Sequence, residues 1–172
     1  MTAFVKDVDV ATKLCQELVA ADFGPFFGTP CRSLTPLHAA LHGQVGILTV
    51  AREENAIGIA AGTSLAGRCP VVLMENPGIG QCVNAIASLV VPYRIPMLLI
   101  VGLNELSQEP AQEAKIMGRL TGQLLEGLGI ESAELDPVEP VEAQVERVNT
   151  IVQRRLQPAA LLVPPATFGG RA

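Results

Sequence analysis

The chain has 172 residues, 49% of them apolar but only 3% aromatic and none Trp, with a formal net charge of −5. That length suits one domain with a full core, which must be aliphatic: Val, Ile, Leu and Ala around many glycines, a profile that fits a parallel α/β sheet better than an antiparallel sandwich. The acidic balance and the lack of any Lys/Arg run exclude a broad nucleic-acid surface.

In chain order, Asp7 or Asp9 is placed to cap a first helix, with Val10, Leu14, Leu18 and Val19 near helical spacing. Residues 22–27 read as the first strand and 28–31 as the turn after it. A helix over 34–41 stops near Gly43, and a strand over 46–50 follows. A small-residue helix from Ile57 ends at Gly67. The next strand is 70–74, then a turn at 75–80 opening a helix through Leu89. A fully apolar strand at 96–101 precedes a polar loop, helices over 111–127 and 141–156, and a short last strand at 160–163. This alternation predicts one domain over 1–172: a doubly wound, mostly parallel sheet with helices on both faces and a loose tail at 167–172. In such sheets sites gather at the carboxyl ends of strands, where the segments 28–32, 52–56 and 75–80 all fall.

The cysteines at 15, 31, 69 and 82 form no Cys-x-x-Cys pair and read as reduced thiols of a cytoplasmic protein. His38 and His42 share a helix face, but no third ligand lies nearby in sequence, so no metal site is expected on this chain. Lys6, Asp7 and Asp9 stand where a signal peptide needs an apolar core, and no apolar run reaches the roughly 18 residues of a membrane span.

Three segments carry the chemistry. At 46–62 a β-rich run passes into a nearly uncharged helix, with Glu53 and Glu54 at the junction. Negative charge is favourable at a helix N-terminus, so both carboxylates have a purely structural reading. An uncharged helix is also expected to be buried, and a carboxyl buried at its mouth tends to hold a proton at neutral pH, suited to a hydrogen bond with a cofactor nitrogen. Gly78-Ile79-Gly80 has the form of a phosphate nest, or of a tight turn with close helix packing. As a dinucleotide fingerprint it fails, because the third glycine is absent and it follows the third strand. Cys31 and Arg32 follow the first strand. The Arg32 fork suits a carboxylate or sulfonate, or a surface ion pair, and Cys31 has no base near it in sequence.

The run Arg52-Glu53-Glu54-Asn55-Ala56-Ile57-Gly58-Ile59-Ala60-Ala61-Gly62 resembles the glutamate motif of the pyrimidine-binding domain of thiamine-diphosphate enzymes. The likeness extends to Phe27-Gly28-Thr29-Pro30-Cys31 and to Leu73-Met74-Glu75-Asn76-Pro77-Gly78-Ile79-Gly80, spans about residues 10 to 130, and is greatest to the sulfopyruvate and phosphonopyruvate decarboxylases, above all the small chain of two-chain versions. The resemblance implies that Glu53 is the catalytic carboxyl beside N1′ of the aminopyrimidine, with Glu54 its solvated neighbour. It implies thiamine diphosphate as cofactor, contacted by Glu53, Met74, Asn76, Gly78 and Gly80. It also implies a small 2-oxo acid substrate near Cys31, Arg32 and Glu75.

Thiamine enzymes carry Mg²⁺ and the diphosphate on a second domain marked by Gly-Asp-Gly and a later Asn pair. Neither occurs in these 172 residues, so the resemblance implies a partner subunit holding that half, in a hetero-oligomer. Two departures bear on the substrate. Relatives commonly have Gln where Glu75 stands, and the usual Arg-Gly after the fourth strand is replaced by Gly102-Leu103-Asn104-Glu105. The expected activity is decarboxylation, with a carboligase or a non-catalytic regulatory or scaffolding subunit of the same fold as alternatives.

Overall fold

Apolar runs that can be buried on both faces occur at Val71–Glu75 (β3), Leu98–Gly102 (β4) and Ala159–Val163 (β6), and these form the centre of the sheet. The structure, a computed structural model, describes residues 2–103, 112–165, 167 and 168, with side chains at 10–103, 116–165, 167 and 168. Outward from the centre lie Phe26–Gly28 (β1) and Leu48–Thr49 (β2) on one side, and Glu131–Glu134 (β5) on the other. The order is β2-β1-β3-β4-β6-β5, and every pairing is parallel. Every crossover therefore needs a helix, and the chain has one at each: Thr35–Gln44 (α2), Glu53–Leu65 (α3), Asn76–Ala85 (α4), Gln112–Gly127 (α5) and Val141–Asn149 (α6), after an opening helix Thr2–Ala20 (α1).

Alternation along the strands divides the core in two. Val71, Leu73, Leu98, Ile100 and Leu161 point to one face, where α1, α2 and α6 pack. Val72, Met74, Leu99, Val101 and Leu162 point to the other, covered by α3, α4 and α5. Most of these side chains are fully buried, each worth about 1.5–3 kcal/mol against exposure. Gln144 shows how this core treats a buried amide. Its Oε1 accepts from Asp136 N at 2.8 Å, and its Nε2 donates to the carbonyls of Asp136 and Glu139 at 2.7 and 3.0 Å.

The doubly wound sheet matches the sequence-based expectation; several details differ. Helix α1 starts at Thr2, so Asp7 and Asp9 lie within it and not at its N-terminus; nothing in residues 3–6 breaks a helix. The first strand is shorter than 22–27: Asp22 sits at φ 60° and Pro25 has no N–H, so the ladder begins at Phe26. Helix α3 begins at Glu53, not Ile57, and it is not buried all round: Asn55, Gly58, Ile59 and Gly62 face outward. Two helices end in π-helical turns, Ile86–Val90 and Thr150–Arg154. Strand β5, Glu-Ser-Ala-Glu, is unforeseen, because nothing apolar marks it. Thr167 and Phe168, expected loose, are buried. Asn104, Glu105, Ala111 and residues 169–172 lie outside the described residues. All four cysteines are free, and among the described residues no helix is long and apolar enough to cross a membrane.

Two glycines make opposite demands. A Cβ on Gly28 would stand 2.7 Å from the Leu73 carbonyl across the β1–β3 pair, whereas one on Gly58 meets nothing within 4 Å. Gly28→Ala is expected to lower the unfolding free energy of the chain by about 1–3 kcal/mol. Gly58→Ala is expected to raise it by about 0.5–1 kcal/mol through helix propensity. Denaturant titration of both variants reads the signs directly.

Candidate active site

Parallel pairing of β1 with β2 and β3 sets three chain segments side by side at the carboxyl ends of the strands. Thr29 follows β1, Glu53 opens α3 after β2, and Asn76 opens α4 directly from β3. Glu53 is the point where they meet. Its Oε1 accepts a hydrogen bond from Thr29 Oγ1 at 3.0 Å. A Cβ on Gly78 would stand 2.6 Å from Glu53 Cγ and 3.1 Å from its Cδ. The Glu53 side chain thus occupies the space that any other residue at 78 would claim. Glu54 turns the other way, its Oε1 3.0 Å from Arg52 Nε, both side chains well exposed. A pair so placed contributes roughly 0–1 kcal/mol and leaves Glu54 as a solvated charge on the first turn of α3.

The turn 75–80 serves more than one purpose. Gly78 makes room for Glu53, but Gly80 faces α5: a Cβ there would meet Met117 Cε at 3.3 Å. Gly80, expected among the cofactor contacts, thus also stands against α5. Met74 is fully buried in the core beneath the turn. Asn76 is also fully buried, yet among the described residues neither its Oδ1 nor its Nδ2 has a partner. An unpaired buried amide costs about 1–3 kcal/mol. The contrast with Gln144, which meets three backbone groups, sets Asn76 apart as a buried amide left without a partner among the described residues.

Glu75, the last residue of β3, reaches across to the loop after β1. Its Oε1 accepts from Arg32 N at 2.9 Å and from Ser33 N and Oγ, both at 3.3 Å. The bond to Arg32 engages the backbone, and the exposed guanidinium makes no ion pair with any described residue. The surface ion pair that sequence left open for Arg32 is absent among those residues.

Cys31 is half-buried beside Arg32, its Sγ 3.9 Å from His38 Nε2. Burial pushes its thiol up to about 12; the charges of Glu75 and Glu53 act in the same direction, against hydrogen bonding from the Leu34 backbone. Burial pushes the His38 imidazole down. The pair is thus a protonated thiol against a neutral ring. His38 entered the sequence reading only as a metal candidate with His42; the first turn of α2 brings it back to the loop instead. Among the described residues no group of three metal-ligating side chains forms.

Two cavities, about 370 and 540 Å³, open at the amino ends of the strands around Asp22, Arg68 and Cys69, and neither touches Glu53. The Glu53 face carries the motif residues and is the candidate site.

The His38 ring gives a pH dependence with a definite sign. Its folded pKa lies below the ordinary 6.5, so between the two values the unfolded chain binds more protons. Stability therefore rises with pH through that window, and it is lost as pH falls below about 6.5. His38→Gln should flatten this part of the curve when unfolding midpoints are compared from pH 7 to pH 5. Parallel curves for the two proteins would mean that the ring titrates as freely folded as unfolded.

Comparison with known proteins agrees with this geometry. Residues 8–124 match the family described as thiamine pyrophosphate enzyme, N-terminal TPP binding domain. The chain is 33% identical over 135 residues to the sulfopyruvate decarboxylase subunit alpha of Methanocaldococcus jannaschii, covering 77% of this chain and 80% of that one. To the same subunit of Methanococcus maripaludis it is 37% identical over 116 residues, covering 66% and 68%. Among solved structures, a 2-oxoglutarate:ferredoxin oxidoreductase from Magnetococcus marinus shares the fold, with a TM-score of 0.72 over 92% of this chain and 29% of that one at 11% identity. The chain belongs to the thiamine pyrophosphate enzyme N-terminal domain family, as a relative of the sulfopyruvate decarboxylase alpha subunits.

Proposed function

We propose that this chain is the pyrimidine-binding subunit of a two-chain, thiamine-diphosphate-dependent decarboxylase acting on a small 2-oxo acid with a second acid group, such as sulfopyruvate. The observation that carries the reading is Glu53, on which all three motif segments converge. The residues fit the cofactor: a carboxyl with one oxygen tied to Thr29, and a buried amide at Asn76 with both polar atoms unpartnered. Glu53 and Asn76 would hold the aminopyrimidine. When bound, thiamine diphosphate supplies a nucleophilic carbon for the keto group and an electron sink for the departing CO₂.

This chain's own part is to tune and to position. Glu53 would share a hydrogen-bonded proton with the pyrimidine ring nitrogen, acting there as the acid–base group. Thr29 fixes one Glu53 oxygen and so aims the other. Gly78 lets the carboxyl stand against the start of α4. Arg32 presents an exposed guanidinium, without an ion pair among the described residues, to an acid group of the substrate, a charge-assisted contact. Cys31, protonated, adds no charge to the anion's path.

The relatives' name, subunit alpha, supports a second subunit. The absence of Gly-Asp-Gly and a later Asn pair from these 172 residues supports placing Mg²⁺ and the diphosphate on that partner. Four free thiols fit a reducing compartment, and we place the protein in the cytoplasm.

The testing experiment reconstitutes this chain with its partner, Mg²⁺ and thiamine diphosphate. The complex should decarboxylate the 2-oxo acid, and this chain alone should not; turnover by the single chain would sink the split-site reading. In the complex, Glu53→Gln should slow exchange of the cofactor's C2 proton for deuterium by about 10²- to 10⁴-fold, with Glu54→Gln close to wild type. Equal rates in the two variants would assign the chemistry to another group.

Arg32→Ala should lower kcat/KM by about ten- to a hundredfold, with cofactor affinity little changed. Sulfopyruvate, phosphonopyruvate and pyruvate should be compared. A preference for pyruvate that Arg32→Ala leaves unaltered would remove the second acid group from the substrate assignment and leave the cofactor assignment standing.

A further inference from the structure

Glu75 looks at first like an obstacle. A carboxylate at the end of β3, beside the loop that carries Cys31 and Arg32, would repel a substrate with two acid groups. Its contacts say otherwise. One oxygen, Oε1, takes the amides of two consecutive residues, Arg32 and Ser33, together with the Ser33 hydroxyl. Those donors lie 42 and 43 residues away in sequence, so the contact joins two separate strand ends.

The same loop is pressed against β4. A Cβ on Gly102 would stand 2.1 Å from Ser33 Oγ and 3.1 Å from Leu34 Cγ. Gly102 pairs with Glu75 in the β3–β4 ladder, so a carboxylate and a bare glycine stand next to each other beneath one short loop. The loop backbone is bound by the first and seated on the second. Glu75 takes the backbone of Arg32, and the guanidinium makes no ion pair among the described residues.

We propose that Glu75 is a positioning residue: its carboxylate oxygen latches the loop 31–34 over the carboxyl ends of β3 and β4 and so sets where Cys31 and Arg32 stand for the substrate. What the latch needs is an acceptor oxygen at that reach. A glutamine in its place supplies one; an alanine does not. The latch itself is a property of the chain, and its effect on turnover rests on the function proposed above.

The test uses the complex assembled with its partner and compares wild type, Glu75→Gln, Glu75→Ala and Gly102→Ala. Hydrogen–deuterium exchange is followed in the peptide containing Arg32 and Ser33, and kcat and KM are measured with sulfopyruvate. Glu75→Ala should speed exchange at the two amides by about ten- to a hundredfold and lower kcat/KM, chiefly through KM. Exchange of the cofactor's C2 proton, which depends on Glu53, should stay within about threefold of wild type. Glu75→Gln should restore both protection and KM to within about threefold. Gly102→Ala should unseat the loop from the other side and raise exchange at the same amides, so the latch stays testable if Glu75→Ala fails to assemble.

Unchanged protection in Glu75→Ala overturns the proposal. So does a fall in KM for sulfopyruvate in both Glu75 variants, which would make the carboxylate a competitor for the substrate's anion. If the wild-type complex turns over no 2-oxo acid, the proposed function fails alone and the exchange measurement still decides the latch.

Discussion

The pairing of β1 with β3 is the constraint on which the rest depends. From β1 the chain winds outward through α2 to β2 on one face. It then returns through α3 on the other face to β3, on the far side of β1. The reversal opens a crevice at the carboxyl ends of these two strands, the place where open α/β sheets keep their ligands. The pairing is tight because Gly28 has no side chain to hold the Leu73 carbonyl off. Thr29 and Glu75, the residues next to that close contact or at the end of its partner strand, then reach Glu53 and the 31–34 loop.

The means by which the site is held differ on its two sides. On one side a side chain fills a void: Glu53 lies in the space left by Gly78, guided by a single hydroxyl. On the other a side chain collects backbone donors: Glu75 gathers two amides and a hydroxyl and seats their loop on Gly102. Two carboxylates at the ends of the strands that flank β1 thus have opposite tasks. Glu75 is spent on its own chain, while Glu53 Oε2 and the Asn76 amide have no partner among the described residues.

Much of this was legible in the sequence because parallel α/β architecture writes itself in runs. Apolar stretches at 70–74, 96–101 and 160–163 announce strands buried on both faces, and the motif segments fall at strand ends. What escaped did so for physical reasons. Strand β5 is polar, and it pairs because β6 offers a ladder, not because its own side chains seek the core. Helix α3 carries almost no charge, which read as burial all round; its outer face is in fact Asn, Gly, Ile and Gly, uncharged but uncovered in this chain. The roles of Gly80, His38 and Glu75 were hidden because each is set by a contact from another element: Met117 of α5, the Cys31 thiol at the foot of α2, and backbone amides more than forty residues away. Side-chain type reveals chemistry, but backbone partners at that distance leave no local signature.

The two rims of the sheet have a consequence for how this subunit can associate. β2 offers two residues of ladder, both exposed, and β5 offers four, with Glu131 and Glu134 exposed and Glu131 held by Arg155. Short or charged rims resist the addition of another strand. A second chain therefore finds only a short main-chain template on which to prolong the sheet. That disfavours indiscriminate stacking: hydrogen-bond ladders accept any extended backbone, whereas side chains on a helical face discriminate between surfaces.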